Sequence, residues 1–217
     1  MRDKYKSIKK KAPLEIVKGS KQYVYDSDGV QYLDCVNGTS HVGHCHPQVL
    51  SAANRQMSRL VTSQGFTSDL LSRYVSAIVD TLPEPLNVSF LTNSGSEAND
   101  LALRLAAAFS GSDDVLVLED GYHGNIGSLV DVSPKIFKKS NLKKKDHVHV
   151  ARLPDMFRGK YRYSEQELGE KYAREVEEKI LQAKSRGKKI GAFLCETMFV
   201  IPGVFIPPRS FFERVFR

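Results

Sequence analysis

The run NSGSEAND at residues 93–100 decides the fold class, because it joins an apolar strand candidate to an amphipathic helix. Residues 88–91 before it are predicted to form a short strand. Ser94 and Glu97 have the S-x-x-E spacing of a capping box, and Gly111 is a typical end for the helix that follows. The apolar residues of that helix recur at helical spacing on one face: Ala98, Leu101, Ala102, Leu105 and Phe109.

Strands and helices continue to alternate after this run. Residues 115–118 (VLVL) and 190–195 (IGAFLC) are predicted to be buried strands. Between them, Ser164 and Glu167 form a second capping box, and Gly187 is expected to end the helix behind it. Strands that alternate with helices predict an α/β fold, with a mostly parallel sheet covered by helices on both faces.

A smaller segment precedes the α/β part of the chain. Residues 22–34 (QYVYDSDGVQYLD) predict two short strands joined by a hairpin at DSDG. Pro47 suits the first turn of a helix, and a second helix is predicted from Asp69 to Leu82. We therefore expect residues 1–46 to form an amino-terminal segment and residues 47–217 to begin the larger domain.

The carboxyl end of the chain carries a third capping box, at Ser210 and Glu213. The helix behind it stops at Arg217 after about two turns, which is short of the roughly 12–15 residues at which isolated helices become marginal. We therefore expect the chain to be truncated within a longer α/β domain.

Composition excludes several classes of protein. Hydrophobic residues make up 41% of the 217 residues, and no apolar run approaches the roughly 18 residues of a membrane helix. The net charge of +7 comes largely from the first 19 residues and from a lysine-rich loop at 135–145. That loop lacks interleaved aromatic residues, so nucleic-acid binding is not favoured. Cys35, Cys45 and Cys195 are scattered and are expected to be reduced thiols.

The segment HVGHCHP at residues 41–47 is rich in metal-ligand side chains. A structural zinc site typically takes four ligands from two separated pairs, and this chain has no CxxC or HxxxH pair elsewhere. We therefore interpret the segment as a structural loop and expect no metal.

Three strand ends are expected to meet at one edge of the sheet, where α/β proteins bind ligands. Free backbone amides at Gly95 and Ser96 would suit a phosphate there, although an ordinary helix cap has the same spacing. Tyr122 offers a flat ring to an aromatic ligand, or belongs to a simple turn. Glu196 can orient a cationic group, or is a solvated strand end.

The run NSGSEANDLALRLA, together with GYHG and HVGHCHP, resembles the class III aminotransferases of the pyridoxal-phosphate fold-type I group. The stretches QYLDC, LPDMFRGKYR and the segment from IGAF to FIPP resemble more closely the ethanolamine-phosphate and 5-phosphohydroxylysine phospho-lyases. The likeness runs from about Gln22 to Phe212, although residues 60–68 (LVTSQGFTS) depart from that subgroup.

The resemblance assigns residues to pyridoxal 5′-phosphate. It implies that Gly95 and Ser96 hold the cofactor phosphate and that Tyr122 stacks on the pyridine ring, with His123 beside it. It also implies that Glu196 belongs to the polar network of the pocket. The HVGHCHP loop would approach this site from the amino-terminal strands.

The resemblance also implies a reaction and a setting. The parent reaction would eliminate phosphate and ammonia from a phosphorylated amine such as ethanolamine phosphate; the alternative is transfer of an amino group from an amino acid to a 2-oxo acid. A mitochondrial homo-oligomer with sites at a dimer interface is implied, and a cytoplasmic protein otherwise.

The same resemblance places the cofactor-binding lysine and the Asp that pairs with the ring nitrogen in later segments of the family. We therefore assign no catalytic residue to this chain and expect it to be inactive alone. Three hypotheses follow: the amino-terminal half of such an enzyme, a noncatalytic product that folds poorly or pairs with a full-length subunit, or a phosphate-binding α/β domain of unrelated chemistry.

Overall fold

A computed structural model describes residues 14–62, 65–140 and 142–217. The chain divides into two compact units, with the boundary between Leu86 and Asn87. The domain boundary expected between residues 46 and 47 stays a prediction.

The first unit contains a three-stranded antiparallel sheet in the order β1-β2-β3. Its strands are β1 (Ile16–Ser20), β2 (Tyr23–Asp26) and β3 (Gln31–Leu33). The predicted hairpin between β2 and β3 is confirmed, whereas β1 was not predicted. Asp26 shapes the turn, because its carboxylate accepts the amides of Asp28 and Val30 at 3.0 and 2.9 Å. Its other oxygen accepts the Tyr32 hydroxyl at 2.8 Å, and this bond lowers the pKa of Asp26.

The HVGHCHP segment is joined to the turn between β1 and β2. The backbones of His44 and Lys21 exchange hydrogen bonds of 2.7 and 3.0 Å, and the His44 ring lies 2.6 Å from the Asp34 carboxylate. Gly43 has a φ of +83°, and a Cβ there would lie 2.8 Å from the Lys21 carbonyl oxygen. Among the described residues, no three potential ligand side chains come together as a metal site. These contacts are those of a structural loop.

Both helices predicted for the first unit are present, as α1 (Pro47–Met57) and α2 (Asp69–Val79). Helix α2 ends before the predicted Leu82, because Thr81 and Leu82 bond to carbonyls three residues back and tighten the chain into a turn.

The second unit has a three-stranded parallel sheet in the order β5-β4-β6, which confirms the predicted parallel sheet. Its elements in chain order are α3 (Gly95–Ser110), β4 (Asp114–Leu118), α4 (Gly127–Asp131), α5 (Pro134–Lys139), β5 (Val148–Ala151), α6 (Leu168–Ser185), β6 (Ile190–Leu194) and α7 (Arg209–Val215). Elements α4, α5 and β5 were not predicted.

Strand β4 is buried along its whole length, so it forms the centre of this unit. Leu116 and Leu118 pack with residues of α6 and α7 on one face, among them Tyr172 and Phe211. Val115 and Val117 pack on the other face with Leu129, Val132 and Val148, against which Leu103 of α3 also lies. Alternate residues of one strand thus contact different helix layers, as expected for a sheet covered on both faces.

Several local predictions are wrong. Residues 88–91 form no strand, because no described strand pairs with them, and a strand is defined by that pairing. The second capping box does not form, since Glu167 is itself the residue before α6 and has a left-handed φ of 54°. The third does not form because α7 begins at Arg209, directly after Pro208.

The apolar face predicted for α3 is largely open to solvent. Leu105 and Phe109 are 47% and 96% exposed, whereas Leu103, outside that face, packs toward the core. Across the described part of the chain, no helix combines the length and the hydropathy that crossing a membrane requires.

Candidate functional site

At the start of helix α3, some backbone amides are capped by side chains and others are not. The Ser94 hydroxyl accepts the Glu97 amide at 3.1 Å, so the serine cap of the first predicted capping box is present, whereas the Glu97 carboxylate accepts the amide of Asn93 at 2.7 Å instead of that of Ser94. The amides of Gly95 and Ser96 have no acceptor within the described residues. A Cβ on Gly95 would meet nothing within 4 Å, so the space beside this backbone is open. Two backbone donors therefore remain for a ligand.

Ser96 joins the start of α3 to the loop that follows β4. Its hydroxyl oxygen accepts the backbone amide of Asn125 at 3.1 Å. Gly124 packs directly on it: a Cβ at Gly124 would lie 2.7 Å from the Ser96 hydroxyl and would collide with Leu129. Two predicted parts of the site, the helix start and the GYHG loop, are therefore adjacent in the structure.

His123 is buried in this loop, with 5% of its surface exposed. Its backbone amide donates to the Ser133 hydroxyl at 2.9 Å, and its carbonyl accepts the side-chain amide of Asn99 at 2.8 Å. The ring nitrogen Nε2 is buried and has no partner among the described residues. Burial lowers the pKa of His123 to about 4, so the imidazole is neutral at pH 7. Tyr122 beside it is 38% exposed, which leaves part of its ring accessible.

Glu196 lies just beyond the end of β6, whose carboxyl end shares an edge of the sheet with that of β4. One of its oxygens, Oε2, accepts the amides of Val200 and Ile201 at 2.9 and 3.1 Å, so the carboxylate closes the following turn. The other oxygen, Oε1, is buried and unpartnered within the described chain. Glu196 therefore has a structural role and one buried oxygen left to bond.

The family of the chain follows from comparison with known proteins. The family described as aminotransferase class-III matches residues 5–217. The chain belongs to the class-III aminotransferase family.

The relatives of the chain are named after two kinds of enzyme, aminotransferases and phospho-lyases. The alanine–glyoxylate aminotransferase 2-like protein of Drosophila melanogaster is 41% identical over 208 residues, which cover 94% of this chain and 42% of that protein. The ethanolamine-phosphate phospho-lyase homolog 1 of Caenorhabditis elegans is 37% identical over 213 residues, 94% of this chain and 45% of that protein. The chain thus spans somewhat less than half the length of these curated relatives.

A solved phospholyase structure has the same fold. A phospholyase from Arthrobacter, in complex with phosphoethanolamine, superimposes with a TM-score of 0.86 at 31% identity. The match covers 97% of this chain and 49% of that one. The predicted fold type is therefore confirmed for the part of the fold that this chain contains.

Class-III aminotransferases depend on pyridoxal phosphate, and the residues described above fit that group. Its phosphate needs hydrogen-bond donors, which the amides of Gly95 and Ser96 provide at a helix start. Its aromatic ring needs a flat partner and polar contacts. Tyr122 offers an accessible ring, and His123 and Glu196 each have a buried polar atom without a partner among the described residues.

Sequence patterns alone did not identify Asn99 and Asp100, which together with Ser96 hold this candidate site together. On α3, Ser96, Asn99 and Asp100 all bond to the segment 123–128, where the Asp100 carboxylate accepts the Ser128 hydroxyl at 2.7 Å. Their spacing of i, i+3 and i+4 places them on one helix face, which is the available signal. Their partners lie 24 to 29 residues further along the chain, so these contacts could be identified only from the folded structure.

Proposed function

We propose that this chain supplies the pyridoxal 5′-phosphate contacts of a class-III enzyme. The amides of Gly95 and Ser96 would hold the phosphate, Tyr122 would stack on the ring, and His123 would lie beside it. Glu196 would belong to the polar network around the ring. The observation that carries this proposal is the pair of amides at the start of α3 that lack an acceptor in the described chain, next to the Tyr122–His123 loop.

The free energies favour the amides over the helix dipole as the source of phosphate affinity. Hydrogen bonds to a charged group are worth about 1.5–3 kcal/mol each. The dipole of an exposed helix contributes only about 0.3–1 kcal/mol. Two amides would therefore dominate, and removing the phosphate from the ligand should weaken binding strongly.

The neutral imidazole of His123 suits a place beside the cofactor ring. Because burial keeps it uncharged at pH 7, it adds no positive charge to the pocket, and its Nε2 can donate or accept one hydrogen bond. When bound, pyridoxal phosphate withdraws electrons from the carbon next to the substrate nitrogen, which makes that carbon acidic. The residues assigned here bind and orient the cofactor. None of them binds it covalently, so we propose that turnover requires further segments.

We propose that the parent reaction eliminates phosphate from a phosphorylated amine such as ethanolamine phosphate, and that one water molecule then releases ammonia and supplies the oxygen of the aldehyde product. The phospho-lyase homolog and the Arthrobacter phospholyase support this choice. Amino transfer to a 2-oxo acid is the second candidate, and the 41% identity to an aminotransferase-named relative favours it.

Incubating the full-length protein with ethanolamine phosphate should distinguish these reactions. We expect inorganic phosphate and ammonia to appear in equal amounts, without any requirement for a 2-oxo acid. Phosphate release would be measured colorimetrically and ammonia by a coupled assay. If no phosphate appears, and alanine is instead consumed only when a 2-oxo acid is present, the transaminase alternative replaces the lyase.

We further propose that the full-length form is a homo-oligomer and works in mitochondria. The exposed apolar side chains of Leu105 and Phe109 on α3 support burial against another surface. Some relatives carry the word mitochondrial in their names.

Cofactor binding can be tested on this chain with pyridoxamine 5′-phosphate, which has no aldehyde and does not react with surface lysines. We expect it to bind at least about tenfold more tightly than pyridoxamine, since tenfold corresponds to about 1.4 kcal/mol, less than one charged hydrogen bond. Gly95→Asp should abolish this preference, because a carboxylate would occupy the open space beside Gly95 and repel the phosphate. Equilibrium dialysis with fluorescence detection gives both dissociation constants.

Gly38→Asp is the matched control for this test. Gly38 is exposed in the first unit, and a Cβ there meets nothing within 4 Å. The control should retain the full preference for the phosphorylated ligand. Equal dissociation constants of the unmodified chain for pyridoxamine and its phosphate would refute the assignment of Gly95 and Ser96.

A further inference from the structure

We propose that Asn99 is a positioning residue for the cofactor ring: its side-chain amide fixes the His123 carbonyl and so sets the orientation of the Tyr122–His123 pair. This inference rests on the proposed cofactor site. The contact that carries it is the 2.8 Å hydrogen bond from Asn99 Nδ2 to the His123 carbonyl oxygen.

The His123 backbone is held at both ends by side chains. Its amide donates to the hydroxyl of Ser133, which is fully buried and itself donates to the Leu129 carbonyl at 2.6 Å. Its carbonyl accepts from Asn99. With both polar groups fixed, the backbone of His123 is restrained in direction, and so is the peptide bond that joins it to Tyr122.

The loop lacks room to hold the His123 ring in another way. A Cβ on Gly121 would lie 2.9 Å from the His123 Nε2 atom, so the ring already contacts the backbone before it. Gly124 after it packs on Ser96 and Leu129. A change in the direction of the His123 carbonyl would therefore move the ring against one of these neighbours.

Asn99 also connects the two ends of the proposed cofactor site. It lies on α3 about one turn after Gly95 and Ser96, which are assigned to the phosphate. Because a helix is rigid over one turn, the Asn99 bond fixes the loop that presents the ring relative to the amides that hold the phosphate. Binding of inorganic phosphate needs only the amides. Binding of the complete cofactor also needs the loop that presents the ring to be correctly placed relative to those amides.

This difference provides a test with two ligands. Asn99→Leu has a similar size, adds no charge and cannot donate a hydrogen bond. We expect its affinity for pyridoxamine 5′-phosphate to fall about tenfold, while its affinity for inorganic phosphate stays within about twofold of the unmodified chain. Asn99→Ser, whose side chain is too short to reach the carbonyl, should show the same split and serves as the second variant if Asn99→Leu fails to fold.

A conservative variant and a matched control complete the experiment. Asn99→Gln keeps the amide donor on a longer arm and should recover affinity for pyridoxamine 5′-phosphate relative to Asn99→Leu. Asn54→Leu, on the exposed surface of α1, should change neither affinity. Equal losses for both ligands, or no loss for either, would overturn the positioning role of Asn99. If the unmodified chain binds neither ligand, the proposed cofactor site itself fails, which is a separate result.

Discussion

Replacing Gly124 by alanine is expected to lower the free energy of unfolding by about 2–6 kcal/mol and to abolish selective binding of pyridoxamine 5′-phosphate. Gly124 has a φ of +145°, a conformation that L-residues rarely adopt, and such strain costs about 1–3 kcal/mol. The added methyl group would also collide with Leu129 and lie 2.7 Å from the Ser96 hydroxyl oxygen. Overpacking of this kind typically costs a further 1–3 kcal/mol, approximately.

The functional loss follows from the same contact. Ser96 cannot move away from a methyl group at residue 124 without breaking its hydrogen bond to the Asn125 amide. Because Ser96 belongs to the first turn of α3, such a movement displaces one of the two amides proposed to hold the phosphate. Gly124→Ala should therefore weaken binding of inorganic phosphate as well, unlike the substitutions at Asn99.

Gly127 provides the matched control for this prediction. It begins α4 three residues away, a Cβ there meets nothing within 4 Å, and its φ is not positive. Gly127→Ala should leave the free energy of unfolding within about 0.5 kcal/mol. Urea unfolding followed by circular dichroism measures both variants. Equal midpoints for the two would show that Gly124 carries neither strain nor a close contact.

The α/β fold was predictable from sequence because its central strands are strongly apolar. Strands β4 and β6 are apolar runs bounded by turn residues, and a long amphipathic helix lies between them. The short strand β5 was missed because its four residues include His149, whose ring bonds to the Asp114 carboxylate at 2.6 Å. That polar pairing depends on a contact 35 residues away, which no local pattern reveals.

Local capping signals were less reliable than the apolar pattern. The same S-x-x-E spacing occurs at Ser94, Ser164 and Ser210, and only Ser94 caps a helix. At Ser210 the preceding Pro208 places the start of α7 earlier than the box predicts. At Ser164 the backbone turns again before α6 begins, so the serine lies outside the helix. Neighbouring residues can therefore move the start of a helix away from a capping box. The apolar pattern of a buried strand is less sensitive to its neighbours.

The resemblance named candidate site residues by position, but it did not give the contacts that connect them. The resemblance named Gly95, Ser96, Tyr122, His123 and Glu196, whose role in cofactor binding stays a prediction. The structure adds that Glu196 also closes a local turn, a role that the resemblance did not imply. It adds Asn99 on α3 and Ser133 just before α5, and both hydrogen-bond to the His123 backbone. Only the packing of α3 on the 121–128 segment brings them together.

The stability of the chain should depend on pH through His123. Burial lowers its pKa from an ordinary value of about 6.5 to about 4 in the folded state. The unfolded state therefore binds a proton more readily, and folding stability is lost as the pH falls from about 6.5 to about 4. Each pKa unit between the two states corresponds to about 1.4 kcal/mol, so His123 contributes about 3 kcal/mol to the free energy of unfolding at pH 7. Above pH 7 this contribution is constant.

Carboxylates with lowered pKa values stabilise the fold over a different range of pH from His123. Hydrogen bonds lower the pKa values of Asp26 and Asp34 in the folded state, so their stabilisation is lost only as the pH falls below about 4. The range between about 6.5 and 4 therefore isolates His123 from these carboxylates. A variant is needed to assign the effect to residue 123.

His123→Asn removes the titrating ring and keeps a polar side chain in its place. We expect the variant to be less stable than the unmodified chain at pH 7, and to lose about 3 kcal/mol less stability between pH 7 and pH 4. Urea unfolding at half-unit pH steps measures the difference. His41→Asn, at an exposed position in the first unit, should reproduce the unmodified pH dependence. If His123→Asn shows the same loss as His41→Asn, the imidazole of His123 is not buried in a neutral state, and its place beside the cofactor ring loses its electrostatic basis.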